Sequence, residues 1–206
     1  MSAENRLSEL GLVLPPVPRL VGKYIGAVQI GELLFVSGNG PGCVKTRTSR
    51  ECAELFSLFS SFDVTARAVL LLFNVIETNF LRASSTSEFS HGLGPLRADG
   101  SPVVGKIGGD LTPEQGYEAA RLVALGMLAN IRAHLGSLDR VVRFAKVVGR
   151  VNATPEFMGH AQVIDGYTDL MVSVFGDSAL CARSAPGMGS APFQVAVIAD
   201  AILQVR

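Results

Sequence analysis

Two short β-rich runs open the pattern, Tyr24–Ile30 and Leu33–Ser37, joined by Gly31-Glu32, a Gly-first pair suited to a two-residue hairpin turn. Gly38-Asn39-Gly40-Pro41-Gly42 then breaks the second run. A helical period follows at Tyr117, Ala120, Val123, Met127, Ile131 and Leu135. Thr112-Pro113-Glu114-Gln115 supplies its start, with Thr as N-cap, Pro at the first helical position and Gln placed to close a capping box. Gly136 supplies the stop. A second helix is expected from Thr154-Pro155-Glu156 to Gly176, with Phe157, Ile164, Tyr167, Met171 and Val174 as its buried stripe. Val141–Val151 and Val195–Val205 read as strands, the latter with Val195, Val197, Ala199, Ala201, Leu203 and Val205 on one face. A hairpin followed by alternating helices and strands suits an α+β fold, a mixed sheet with both helices packed on one face.

Residues 42–95 break with this pattern. They hold six of the eleven Phe and two of the three Cys, but no Tyr and no Gln. Val64–Leu81 could form a helix, with Val69, Leu72, Phe73, Ile76 and Phe80 on one face, between Ser-rich flanks. So long an irregular stretch is unusual inside one domain.

The chain has 206 residues, 48% hydrophobic and 17% charged, which suits one domain with a sizeable core. Lys+Arg and Asp+Glu balance at 18 each, so the basic excess of a nucleic-acid or membrane-surface binder is lacking. Three Cys without a Cys-x-x-Cys pair argue against a disulfide scaffold or a structural zinc site. The N-terminus has no apolar run, and the most apolar stretch, Ala68–Ile76, is far shorter than the ~20 residues that span a bilayer. A cytoplasmic protein with no membrane partner is expected.

Most motif-like stretches have plain readings. Gly100-Ser101-Pro102-Val103-Val104-Gly105-Lys106-Ile107 falls one residue short of a phosphate-binding loop, with Ile107 where the Mg²⁺-binding hydroxyl belongs and no helix following. Gly187-Met188-Gly189 lacks the third glycine of a dinucleotide fingerprint. His91, His134 and His160 make no metal-ligand pair, and Cys181 reads as an inert thiol. Asp165 and Asp169, one helical turn apart, read as a solvated face. Arg183 stands out, because it opens the small-residue loop Ser184–Pro192. A guanidinium there suits bidentate capture of a carboxylate, although composition alone favours a surface salt bridge.

Several stretches in order carry a resemblance: Gly22-Lys23-Tyr24, Leu33-Leu34-Phe35-Val36-Ser37-Gly38, Gly105-Lys106, Asp110-Leu111-Thr112, Gly116-Tyr117-Glu118-Ala119-Ala120, Val151-Asn152-Ala153-Thr154-Pro155-Glu156-Phe157, Val174-Phe175-Gly176 and Ala182-Arg183-Ser184-Ala185. Together they resemble the RidA/YjgF/YER057c/UK114 family, and Arg6–Pro15 resembles the segment that opens one subgroup of it. The resemblance covers residues 5–41 and 96–205.

It implies a chorismate-mutase-like α+β fold, a homotrimer with small-molecule clefts between subunits, and no cofactor or metal. It further implies a deaminase-like hydrolase acting on 2-iminobutanoate or 2-iminopropanoate, releasing a 2-keto acid and ammonia. Two alternatives stand beside this: a non-catalytic ligand-binding or regulatory trimer, and an endoribonuclease-like translation inhibitor. Carried over by position, Arg183 is the substrate-gripping catalytic arginine, Tyr24 lines the cleft, and Gly38 presents backbone to the ligand. The glutamate that holds water in active members is replaced by Ile198, and a frequent cysteine by Ala185. Asp200 lies two residues on along the same strand face, about 6–7 Å away. The asparagine of the second helix has no matched position. Joining Gly40-Pro41 to Leu96 restores a continuous family-like loop. Residues 1–206 thus read as one RidA-like domain carrying an atypical insertion at 42–95. That insertion is either a retained intron or a lineage-specific loop.

Overall fold

A computed structural model describes residues 2–17, 25–39 and 101–206. The proposed insertion, the 64–81 helix, Tyr24 and His91 lie outside the described residues.

The hairpin forms as its pattern predicts. Strands β1 (Ala27–Ile30) and β2 (Leu33–Asn39) are joined by Gly31-Glu32, with Gly31 at φ 58°, a left-handed conformation that glycine adopts without strain. Helix α2 (Pro113–Leu135) follows the short N-terminal helix α1 (Ala3–Glu9) in the described residues. Its capping box is complete, with Thr112 Oγ1 accepting from the Gln115 amide and Gln115 Oε1 accepting from the Thr112 amide. Gly136 ends it in the left-handed conformation, as expected. Strand β3 (Val141–Asn152) leads to helix α3 (His160–Phe175). The chain then returns through β4 (Ala182–Ser184), β5 (Gly187–Met188) and β6 (Val197–Val205).

The second helix starts later than its sequence suggests. Thr154-Pro155-Glu156 stays outside α3 because its backbone is already committed: Ala153 bridges Ile107, and the Thr154 amide donates to the Ile107 carbonyl. Phe157 therefore packs against the core from a turn, not from the helix stripe. Ile164, Tyr167, Met171 and Val174 are buried as expected, joined by Val163 and Leu170. Helix α1 and the short strands β4 and β5 escaped the pattern. Seven residues or fewer carry too little periodicity to register.

The sheet order is β1-β2-β6-β3-β4, with β5 also paired to β3. The first three pairings are antiparallel, and β4 and β5 run parallel to β3. This is the mixed α+β sheet expected. Residues of β6 alternate, with Val197, Ala199, Ala201, Leu203 and Val205 buried under α2 and α3. Register then assigns the opposite face: Val28, Ile30, Leu33 and Phe35 lie beside Ile202, and Arg150 and Val148 lie beside Ile198 and Asp200. No helix covers that face among the described residues. No helix among them is long and apolar enough to cross a membrane.

Candidate functional site

Strand β4 places Arg183. Its three residues pair with Lys146, Val147 and Val148, and Arg183 lies opposite Val147, whose side chain is buried on the helix-covered face. Arg183 therefore turns toward α3. Its Nη1 donates to Asp165 Oδ1 and to Thr168 Oγ1, each at 2.8 Å. Asp165 and Thr168 are three residues apart, so they stand on one face of α3. Thr168 in turn donates its hydroxyl proton to the Ile164 carbonyl (3.3 Å), which leaves its lone pairs for the guanidinium. The Arg183 side chain stays 24% exposed.

A cavity of about 280 Å³ opens beside this group, lined by Val147, Asp165, Tyr167, Thr168, Cys181 and Arg183 among others. Its chemistry is quiet apart from the charges. Tyr167 is fully buried, and that burial holds its phenol well above the usual range while its hydroxyl donates to Met127 Sδ (2.7 Å). Burial pushes the Cys181 thiol up, with Arg183 opposing, so an unreactive thiol is the right description. A second cavity of about 350 Å³ shares Cys181 and is lined also by Ala182, Glu32, Arg143 and Gln204.

Gly38 sits elsewhere. A β-carbon added there would meet Ile198 Cγ2 at 3.1 Å and Asp200 Oδ1 at 3.9 Å, so it lies against the uncovered face of β6. Asp200 forms an ion pair with Arg150 from β3. Two intervening strands, β6 and β3, separate Gly38 from Arg183, about 14 Å at ordinary strand spacing, and the two residues belong to opposite faces. One chain does not bring them together.

The remaining motif residues have structural roles. Asp165 and Asp169 part company, the first to Arg183 and the second accepting the Tyr117 hydroxyl (2.8 Å). The loop around Gly105-Lys106 closes on itself, with the Lys106 amide donating to Asp110 Oδ2 (2.9 Å), and so offers no phosphate cradle. His160 packs edge-on against Phe157, and His134 is exposed. Sequence reasoning passed over Thr168 and Arg150. The i, i+3 spacing of Asp165 and Thr168 was the available signal for the first; for the second, the partner lies on another strand.

Comparison with known proteins places the molecule. Residues 90–195 match the family described as "YjgF/chorismate mutase-like, putative endoribonuclease". Protein TCP17 of Trypanosoma cruzi is 39% identical over 113 residues, which are 54% of this chain and 71% of that protein. Among solved structures, a protein of unknown function from Agrobacterium tumefaciens superposes with a TM-score of 0.66 at 27% identity, covering 99% of this chain and 94% of that one. A putative endoribonuclease from Shewanella oneidensis gives a TM-score of 0.70 at 20% identity, with both chains fully covered, a likeness of fold. From the ordered motifs, the mixed sheet with helices on one face, and these matches, the chain belongs to the YjgF/chorismate mutase-like family.

Proposed function

We propose that the protein is a cytoplasmic homotrimer that binds a small carboxylate-bearing imine or enamine in clefts between its subunits. It hydrolyses that ligand to a 2-keto acid and ammonia. The observation that carries this reading is the state of Arg183. Its Nη1 bonds to Asp165 and Thr168, bonds that do not use Nε and Nη2, the pair that matches a carboxylate side-on, and Arg183 lines a cavity. The separation of Arg183 and Gly38 within one chain supports a cleft shared by two copies, with Tyr24 and Gly38 supplied across it. The chemistry asks only for water: it adds to the C=N carbon, and the nitrogen leaves as ammonia. Residues 42–95 are read as an insertion into one domain, because joining Gly40-Pro41 to Leu96 gives a continuous family-like loop.

A second reading, a non-catalytic ligand-binding trimer, is favoured by one feature. Ile198 stands against Gly38 where a water-holding carboxylate would be useful, and the neighbouring Asp200 is engaged by Arg150. An RNA-cleaving role, which the family's description suggests, finds no basic excess to support it.

The test generates 2-iminopropanoate from alanine with an amino-acid oxidase and traps surviving imine as the semicarbazone. The full chain, the chain without 42–95 and the Arg183→Ala variant are compared. Faster imine loss that vanishes in Arg183→Ala supports the deaminase. A folded trimer without acceleration turns the reading to the binder, and a salt-sensitive shift of RNA would revive the third.

A further inference from the structure

The contact between Arg183 and α3 leads one step beyond the carboxylate grip. A guanidinium has five N–H donors, two on each Nη and one on Nε. Nη1 donates twice within the chain, to Asp165 Oδ1 and to Thr168 Oγ1. Neither of these bonds uses Nε or Nη2. The division matters because the Nε/Nη2 edge presents two parallel N–H bonds, the geometry that meets a carboxylate two-for-two.

Without these partners the side chain would be poorly held. β4 is only three residues long and is hydrogen-bonded to β3 on one side. Arginine is among the side chains richest in rotamers, and fixing it on binding costs entropy. Two acceptors on a well-packed helix remove that freedom before a ligand arrives, and Thr168 is itself oriented by its bond to Ile164.

We propose that Asp165 and Thr168 are positioning residues. They hold Nη1 so that the Nε/Nη2 edge of Arg183 is aimed, unspent, at a ligand carboxylate. This rests on the reading of Arg183 as the carboxylate site. Asp165 also sets the charge of the site: with its carboxylate 46% exposed beside the guanidinium, the pair is close to neutral, and recognition depends on geometry more than on net attraction.

The experiment uses the full chain and two readouts. The first is the Nε–H resonance of Arg183 in the free protein, assigned by its loss in Arg183→Ala. In the wild type it should be sharp and slow to exchange, broadened in Asp165→Ala and Thr168→Val, and restored in Asp165→Asn and Thr168→Ser, which keep an acceptor. The second is binding of pyruvate, with its neutral amide as control. Asp165→Ala and Thr168→Val should bind pyruvate about 3- to 10-fold more weakly, the range expected when one mobile side chain must be ordered on binding. Thermal melts report whether each variant folds.

If the Nε–H signal is as averaged in the wild type as in Asp165→Ala, the positioning role is wrong. Tighter pyruvate binding by Asp165→Ala would overturn it too, since Asp165 would then compete with the ligand. If wild type ignores pyruvate while its Nε–H is sharp and lost on substitution, the carboxylate reading falls and the positioning contact stands.

Discussion

At the scale of single residues, close approaches decide more than side-chain identity. Gly166 lies where α3 crosses α2, and a β-carbon there would collide with the backbone carbonyl of Tyr117. A carbonyl inside a helix cannot swing aside as a side-chain end can. Gly166→Ala should therefore cost about 3 kcal/mol, at the upper end for overpacking. Gly189, with nothing within 4 Å of its added β-carbon, is the control, and Gly189→Ala should stay within about 0.5 kcal/mol of wild type. Urea unfolding of the two variants checks this. An equal loss in both would remove the crossing as the cause. Arg183 illustrates the same point. Its type and its loop made it a candidate, and of the two readings offered by the sequence the salt bridge is the one observed, made through Nη1.

Among elements, polar pairs tie the two long helices together over the apolar seam. The Tyr117 hydroxyl on α2 donates to Asp169 on α3, and that bond, with smaller help from burial and the nearby charge, raises the phenol above its usual range. A tyrosine whose pKa is higher folded than unfolded favours folding while protonated. The contribution is complete below the unfolded value near 10 and is lost as pH climbs through the raised folded value. Tyr117→Phe should cost less than about 1 kcal/mol at pH 7, because the pair is solvent-screened. The gap between variant and wild type should close above about pH 10. Chemical denaturation at pH 7 and pH 10.5 reads it, and a gap unchanged at the higher pH would assign the effect to packing. Element boundaries show where local signals end. Thr112-Pro113-Glu114-Gln115 and Thr154-Pro155-Glu156 look alike, yet only the first starts a helix. The second directly follows Ala153, which bridges Ile107, a partner 46 residues earlier, and its Thr154 amide donates to the Ile107 carbonyl. Tertiary pairing overrode the local preference.

At the scale of the molecule, the sheet face that no described helix covers is the dominant feature. Ile30 is 65% exposed there, near Val28, Leu33 and Ile202 along one strip of the sheet. A contiguous apolar strip of this kind is the mark of an association surface. The proposed trimer would cover it. Sedimentation of the full chain should give three times the 21.7 kDa chain mass, and Ile30→Glu should shift the distribution toward smaller species. A wild-type monomer at micromolar concentration would sink the shared-cleft reading, which needs Gly38 and Arg183 from different copies.

The local code of this chain determined a good deal by itself. The hairpin turn, both ends of α2, the buried stripe of β6 and the layered α+β class follow from short-range sterics, capping hydrogen bonds and the periods of 2 and 3.6. Family motifs picked out Arg183 and Gly38. Tertiary structure alone decided that these two occupy opposite faces with two strands between them. It also decided that Asp165 serves Arg183 and not Asp169, and that Asp200 belongs to Arg150. The physical reason is common to all three. Each depends on strand order and register, which join residues far apart in the chain, and no local propensity encodes which distant partner a polar side chain will meet.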